Sequence, residues 1–111
     1  MARYVPERGD VVWLDFRPRA GHEQAGPRPA LVVSPGIYNR RSGLMLCCPI
    51  TSRLRRYPFV VPLLGEPDVG GAILADQVRA IDWRARRARK RGRASNRTVQ
   101  EVIARLHALL S

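Results

Sequence analysis

The densest set of side chains able to do chemistry lies in residues 21–35. An imidazole (His22), a carboxylate (Glu23), an amide (Gln24) and a guanidinium (Arg28) fall within seven residues. The stretch is a polar, glycine-flanked loop that runs into the apolar β segment Ala30, Leu31, Val32, Val33. A loop feeding a rigid strand holds polar side chains in place while leaving them accessible. Pro27 and Pro29 bracket Arg28 and fix φ on both sides, so the guanidinium starts from a stiff base. Thr51 ends a second apolar run and is followed by Ser52 and Arg53. A base, a forked cation and a hydroxyl together suit chemistry on an anion.

The rest of the composition agrees. The formal net charge is +11 and the isoelectric point is near 11.4, which favours polyanionic partners, either nucleic acid or an acidic protein segment. Nineteen of the twenty cations are Arg. That bias reads either as GC-rich coding or as selection for forks that match phosphate. If the polyanion is RNA and is cut without a metal, three parts are needed. These are a base for the 2′-hydroxyl, a cationic or hydrogen-bonding stabiliser of the phosphorane, and a proton source for the leaving 5′-oxygen. Glu23 can be the base if a nearby arginine keeps it ionised, Arg28 can stabilise the phosphorane, and Thr51 can hydrogen-bond a non-bridging oxygen. His22 can act or remain a solvated loop side chain. His107 belongs to a helix, so a two-histidine mechanism is not expected. The acidic residues are scattered, and there is no His-x-x-x-His or Cys-x-x-Cys spacing, so neither a metal site nor another cofactor is expected.

The elements that must position these residues follow from periodicity. Residues 11–16 form a first strand with apolar side chains on both faces, hence a central one. Residues 29–33 form a second strand, and residues 37–41 a short helical turn closed by Ser42 and Gly43. Residues 44–50 lack polar side chains and read as a fully buried third strand. Residues 59–63 form a fourth strand, which Pro62 assigns to an edge. Residues 65–71 form a turn, and residues 72–75 a fifth strand leading into Asp76 and Gln77. Strands at this spacing predict a small β-barrel. Residues 84–97 hold eight cations and no acid. Their Arg and Ala content tolerates a short helix, with a short strand near residues 91–94. The run reads either as a solvated face or, with Arg40, Arg41 and residues 53–56, as a continuous anion-binding surface. The chain ends in a helix capped by Ser95, or by Thr98 with Glu101. Its apolar stripe is Val99, Val102, Ile103, Leu106, Leu109 and Leu110, and it should pack on the barrel.

At 111 residues the chain is expected to be one domain, residues 1–111. Cys47 and Cys48 are adjacent on a strand, point to opposite faces and cannot readily pair, consistent with a reducing cytoplasm. The sequence has neither a signal-peptide core nor an apolar run long enough to span a membrane, so a soluble cytoplasmic protein is expected.

Several stretches together resemble the MazF branch of the MazF/PemK toxins. They are Arg3-Tyr4-Val5-Pro6, Gly9-Asp10, Glu23-Gln24-Ala25-Gly26 with Arg28-Pro29-Ala30, Ser34-Pro35 with Tyr38-Asn39, Pro49 with Thr51, Tyr57-Pro58-Phe59, and Leu74 to Val78 through Trp83-Arg84-Ala85-Arg86. They cover nearly the whole chain, in order. The resemblance implies an SH3-like barrel with a C-terminal helix and a homodimer. It also implies a metal-independent endoribonuclease that cuts single-stranded RNA, chiefly mRNA, to 2′,3′-cyclic phosphate and 5′-hydroxyl ends. The implied inhibitor is a MazE-like antitoxin with an acidic, disordered tail. By the same resemblance Arg28 and Thr51 are catalytic and Glu23 belongs to their pocket. His22, Asp15, Phe16, Ser52, Arg53, Gln77 and Arg79 are RNA contacts, with Phe16 either a stacking surface or plain core. The PemK branch resembles a loop histidine plus an Arg-x-Asp set. Here His22 and Asp76 are present, but Leu74 stands at the arginine position, which favours Arg28 and Thr51 and leaves Asp76 either functional or structural.

Two other readings fit a basic barrel. One is a non-catalytic nucleic-acid-binding module. The other is a gyrase poison of the CcdB type, against which the C-terminal Leu109-Leu110-Ser111 argues, because a resemblance to those toxins would require a terminal Trp-Gly-Ile, on which they depend.

Overall fold

The computed structural model describes residues 3–18, 20–24, 26–53, 56–63 and 71–111. Strand β1 (Asp10–Asp15) carries apolar side chains on both faces. As expected it lies inside the sheet, between β2 (Pro27–Val32) and β7 (Arg89–Arg93). β3 (Leu44–Thr51) pairs with β2 on one edge; on its other edge β6 (Arg79–Asp82) covers its first half and β5 (Ala72–Leu74) its last two residues. β4 (Val60–Pro62) lies beside β5 at the end of the path, so Pro62 is on an edge strand where its missing N–H is harmless. All these pairings are antiparallel. The result is the expected barrel-like β fold with a C-terminal helix, with one difference. Among the described residues β4 and β7 do not pair, so the sheet curls without closing.

Alternation along the central strands builds two cores. Val11, Leu31, Cys48, Ile50 and Ile73 face helix α2 (Asn96–Leu110), whose Val99 and Val102 complete that layer. Val12, Leu14, Phe16, Val32, Met45, Cys47 and Trp83 fill the other face. Burying such side chains contributes roughly 1.5–3 kcal/mol each, so the three inner strands hold the fold. The two cysteines point to opposite faces, both free and buried. Burial pushes the Cys47 thiol up to about 12 and raises that of Cys48 as well.

Three expectations need correction. β3 is not wholly buried: Leu44 and Leu46 are 36% and 39% exposed. They share the face of Cys48, but α2 packs over β4 and the 3-10 turn Ala75–Gln77, at the other end of that face. The α2 stripe likewise outruns the sheet, leaving Leu109 and Leu110 exposed while Ile103 and Leu106 lean on the core. Residues 84–88 form no helix. The Ala85 amide donates to Asp82 Oδ1 at 2.8 Å, Arg87 takes a left-handed φ of 54°, and the chain then extends as β7 along β1, with a bulge opposite Val11 and Val12. Pairing with β1 overrides the helical leaning of the Arg/Ala composition. The turn expected at residues 65–71 lies outside the described residues except for Gly71, as do residues 54 and 55 of the basic cluster.

Two buried polar hubs fasten the connections. In short helix α1 (Gly36–Ser42), Asn39 is fully buried. Its Oδ1 accepts from Ser34 Oγ, its Nδ2 donates to the Pro6 carbonyl at 2.7 Å and the Ser34 carbonyl at 3.1 Å, and its own carbonyl accepts from Trp83 Nε1 at 2.8 Å. This explains why Ser34, Pro35 and Asn39 occur together. Asp10 accepts from Tyr4 Oη at 2.6 Å, the Glu7 amide at 3.1 Å and Arg93 Nη1 at 2.8 Å. Burial, reinforced by that hydrogen bond to Asp10, holds the Tyr4 hydroxyl in its protonated form well above the usual range.

Candidate active site

Strand register brings the two strongest sequence candidates to one end of the sheet. Arg28 is opposite Leu14 across β1–β2, and Ala30 is opposite Pro49 across β2–β3. Arg28 stands two residues before Ala30 and Thr51 two residues beyond Pro49, so both lie at the same end of the sheet. Arg28 is half-buried, and burial alone pulls its guanidinium below its ordinary pKa. Thr51 is 4% exposed, and its Oγ1 accepts from the Arg53 amide at 3.2 Å, which turns the chain out of the strand. Gly71 sits against it at φ 111°; a Cβ there would lie 2.1 Å from the Thr51 carbonyl oxygen. Only glycine allows this approach.

A cleft of about 210 Å³ is lined by Phe16, Glu23, Pro49, Asp76, Gln77 and Arg79 among others; Arg28 and Thr51 are not part of its lining. The β1–β2 connection folds over it because the Gln24 amide donates to Gln77 Oε1 at 2.9 Å. The Glu23 amide donates to the Ala20 carbonyl at 3.1 Å, a turn that leaves the Glu23 and His22 side chains exposed. Arg79 lies with its guanidinium carbon 5.6 Å from the Phe16 ring centre and donates to the Phe16 carbonyl at 3.3 Å. Asp76 accepts a short hydrogen bond from the Tyr57 hydroxyl, which ties the β3–β4 connection to the rim.

Not every candidate is placed to meet a ligand directly. Phe16 is completely buried, so it floors the cleft and offers no free stacking face. The Asp15 carboxylate accepts from the Arg17 Nε at 2.8 and 3.0 Å, and these bonds hold its pKa below the usual carboxylate range. Leu74, at the position where the related branch resembles an arginine, is fully buried in the core. Ser52 and Arg53 are exposed just beyond Thr51. From sequence, Gln24 stands out only as a polar loop side chain and Arg86 only within a motif, without these roles. Arg86 donates from Nη1 to the carbonyls of Asp15 and Arg17, each at 2.8 Å, and so pins the mouth of the cleft. Its place in a run of arginines hid that role. Among the described residues no group of three His, Cys, Asp or Glu side chains gathers in a metal-binding cluster.

An open-ended, strongly basic β barrel with a polar cleft at the end of β1 is a small domain suited to an anion. The particular family follows from comparison. The profile of the PemK-like, MazF-like toxin of type II toxin-antitoxin system matches residues 7–110, and the chain belongs to that family. It is 46% identical over 110 residues to the endoribonuclease toxin MazF of Escherichia coli K12, covering 99% of this chain and 98% of that protein. It is 45% identical to the endoribonuclease toxin ChpB of the same organism over 94% of this chain and 93% of that one. A crystal structure of MazF from Deinococcus radiodurans superposes with a TM-score of 0.92 at 51% identity, covering 97% and 98% of the two chains. A MazE-MazF crystal structure from that organism gives 0.87 at 51% identity, covering 97% of each chain.

Proposed function

We propose that this chain is the toxin of a type II toxin-antitoxin pair and a metal-independent, sequence-selective endoribonuclease. It cuts single-stranded RNA, chiefly mRNA, to 2′,3′-cyclic phosphate and 5′-hydroxyl ends. What supports the mechanism is the strand pairing that leaves Arg28 and Thr51 at the same end of the sheet. Glu23, or His22 beside it, takes the proton of the 2′-hydroxyl. The freed oxygen attacks the adjacent phosphorus, and Arg28 stabilises the added charge of the phosphorane, with the Thr51 hydroxyl on a non-bridging oxygen. The P–O5′ bond breaks, and the proton held by the base returns to the departing oxygen. Gln77, Arg79, Ser52 and Arg53 line the approach and position the strand, while Asp15 acts through Arg17.

The +11 charge supports both RNA and an acidic, disordered MazE-like tail as partners. Ile37, Tyr38, Leu44 and Leu46 form an exposed apolar group on α1 and the start of β3 that a second copy would cover, consistent with a homodimer of single-domain chains. Among the described residues no helix is long and apolar enough to cross a membrane, and a cytoplasmic toxin is the reading adopted. The test is to incubate the protein and Arg28→Ala with long single-stranded RNA in excess EDTA and map the ends. Discrete cuts by the unaltered protein alone, with cyclic phosphate and 5′-hydroxyl termini, are expected. RNA bound but left intact, with no antitoxin present, would overturn the enzyme in favour of a binding module.

A further inference from the structure

The arginines of residues 84–93 are not equivalent. Arg86 is spent on the carbonyls at the mouth of the cleft, and Arg93 and Lys90 on buried Asp10. Arg84 and Arg87 form no ion pair among the described residues. Instead they line, with Arg3, Tyr4 and Trp83, a separate pocket of about 320 Å³. The Trp83 indole is a fixed platform, 5% exposed and anchored by its Nε1 to the Asn39 carbonyl. The Arg84 guanidinium carbon lies 5.0 Å from the indole centre. A guanidinium packed over an indole keeps its N–H edge available for a planar, two-oxygen partner. Arg87 is held at its left-handed φ by a turn in which its amide donates to the Arg84 carbonyl at 3.1 Å and the Ala88 amide to the Trp83 carbonyl at 2.9 Å. On the third side Tyr4 is fixed by Asp10, which holds the segment carrying Arg3.

We propose that this pocket is a second RNA subsite, in which Arg84, Arg87 and Arg3 hold a backbone phosphate of the strand outside the cleft and Trp83 backs the guanidinium. The inference rests on the endoribonuclease reading given above. Its ligand is set by charge and by continuity. No acid lines the pocket. β6 leads from Arg79 at the cleft to Trp83 at the pocket, four residue steps or about 13 Å at the usual strand rise. Arg86, in the turn between the two arginines, is itself bonded to the mouth of the cleft. An RNA held at the cleft therefore comes within reach of the pocket, and the one acid on β6, Asp82, is engaged by the Ala85 amide; a free acidic peptide has no such tether at the cleft, which favours RNA.

The test compares the unaltered protein with an Arg84→Gln/Arg87→Asn double variant, Asn being chosen because it tolerates the left-handed backbone. Two RNAs are used: a short one trimmed to the mapped cut site, and one extended on both sides. Each is also made in a second version with a 2′-deoxy group at the scissile position, used only for the binding measurements. Loss of that phosphate contact should weaken binding of the extended RNA about tenfold and reduce the slope of log K against log[salt] by about 0.7. Cutting of the short RNA should be unchanged. Equal affinity and salt slope for the extended RNA would overturn the subsite alone, and so would an equal loss on the short RNA, which would place the arginines at the cleft. A variant that loses affinity only for a Glu- and Asp-rich peptide would overturn it in favour of an acidic partner. Failure of the unaltered protein to cut either RNA would instead overturn the endoribonuclease reading on which the subsite rests.

Discussion

The Asn39 hub and the cleft near the end of β1 both concentrate polar atoms, and they treat them differently. Around Asn39 both side-chain atoms are bonded and the residue is sealed from solvent. Near the cleft Glu23 and His22 stay exposed, and the hydrogen bonds that hold the loop are donated by the backbone amides of Glu23 and Gln24. Saturated polar groups fix a fold, whereas a site needs the main chain to carry the structure so that side chains remain available. Among the described residues no buried side-chain nitrogen or oxygen lacks a partner, so this openness is confined to the surface.

The contrast can be broken at either end. At the site, Arg28→Ala should lower the cleavage rate by about 10²–10³-fold with little change in unfolding midpoint, because an oriented cation is lost from a side chain that is not among the buried core residues. Rate assays beside thermal melts check this. At the hub, Asn39→Ala should do the reverse. It strands Ser34 and Pro6 groups and costs about 2–4 kcal/mol of folding stability, read by urea unfolding, while the folded fraction keeps its specific activity. Gly71→Ala joins the two regions. It forces a Cβ into the Thr51 carbonyl at a positive φ, so about 1–3 kcal/mol of stability and part of the activity should fall together. Ser95→Ala should cost only about 1 kcal/mol through the lost cap of α2, with cleavage unchanged.

The smallest effect expected is electrostatic. Arg17 depresses the pKa of Asp15, so the pair favours the folded state above the ordinary carboxylate value near 4 and loses that contribution as pH falls through the lower folded value. An NMR titration of the Asp15 side chain should show the low midpoint, and Arg17→Ala should return it towards normal.

What was legible in the sequence was what neighbours decide. The double-faced β1, the edge position of Pro62, the opposed cysteines and the Ser95 cap all follow from periodicity and cap chemistry within a few residues. The alternation of Phe16 with Leu14 pointed to the core, where Phe16 lies. Long-range pairing was not legible in the same way. Residues 84–93 looked half-helical because nothing local announces that β1 needs a partner along that edge. The period of β3 shows which face Leu44 and Leu46 take but not where α2 stops. At the site, residue types and the family likeness singled out Arg28 and Thr51. That both lie at one end of the sheet is a matter of pairing between strands, and the pinning of the mouth by Arg86 depends on a contact 71 residues apart.

The most direct test of the account is a single-turnover cleavage rate in EDTA, on RNA with either a ribose or a 2′-deoxyribose at the mapped cut site, for the unaltered protein and for Arg28→Ala. The account predicts cleavage of the ribose substrate by the unaltered protein, none of the deoxy substrate, and a rate about 10²–10³-fold lower for Arg28→Ala. Cleavage of the deoxy substrate, or an Arg28→Ala rate equal to that of the unaltered protein, would contradict it.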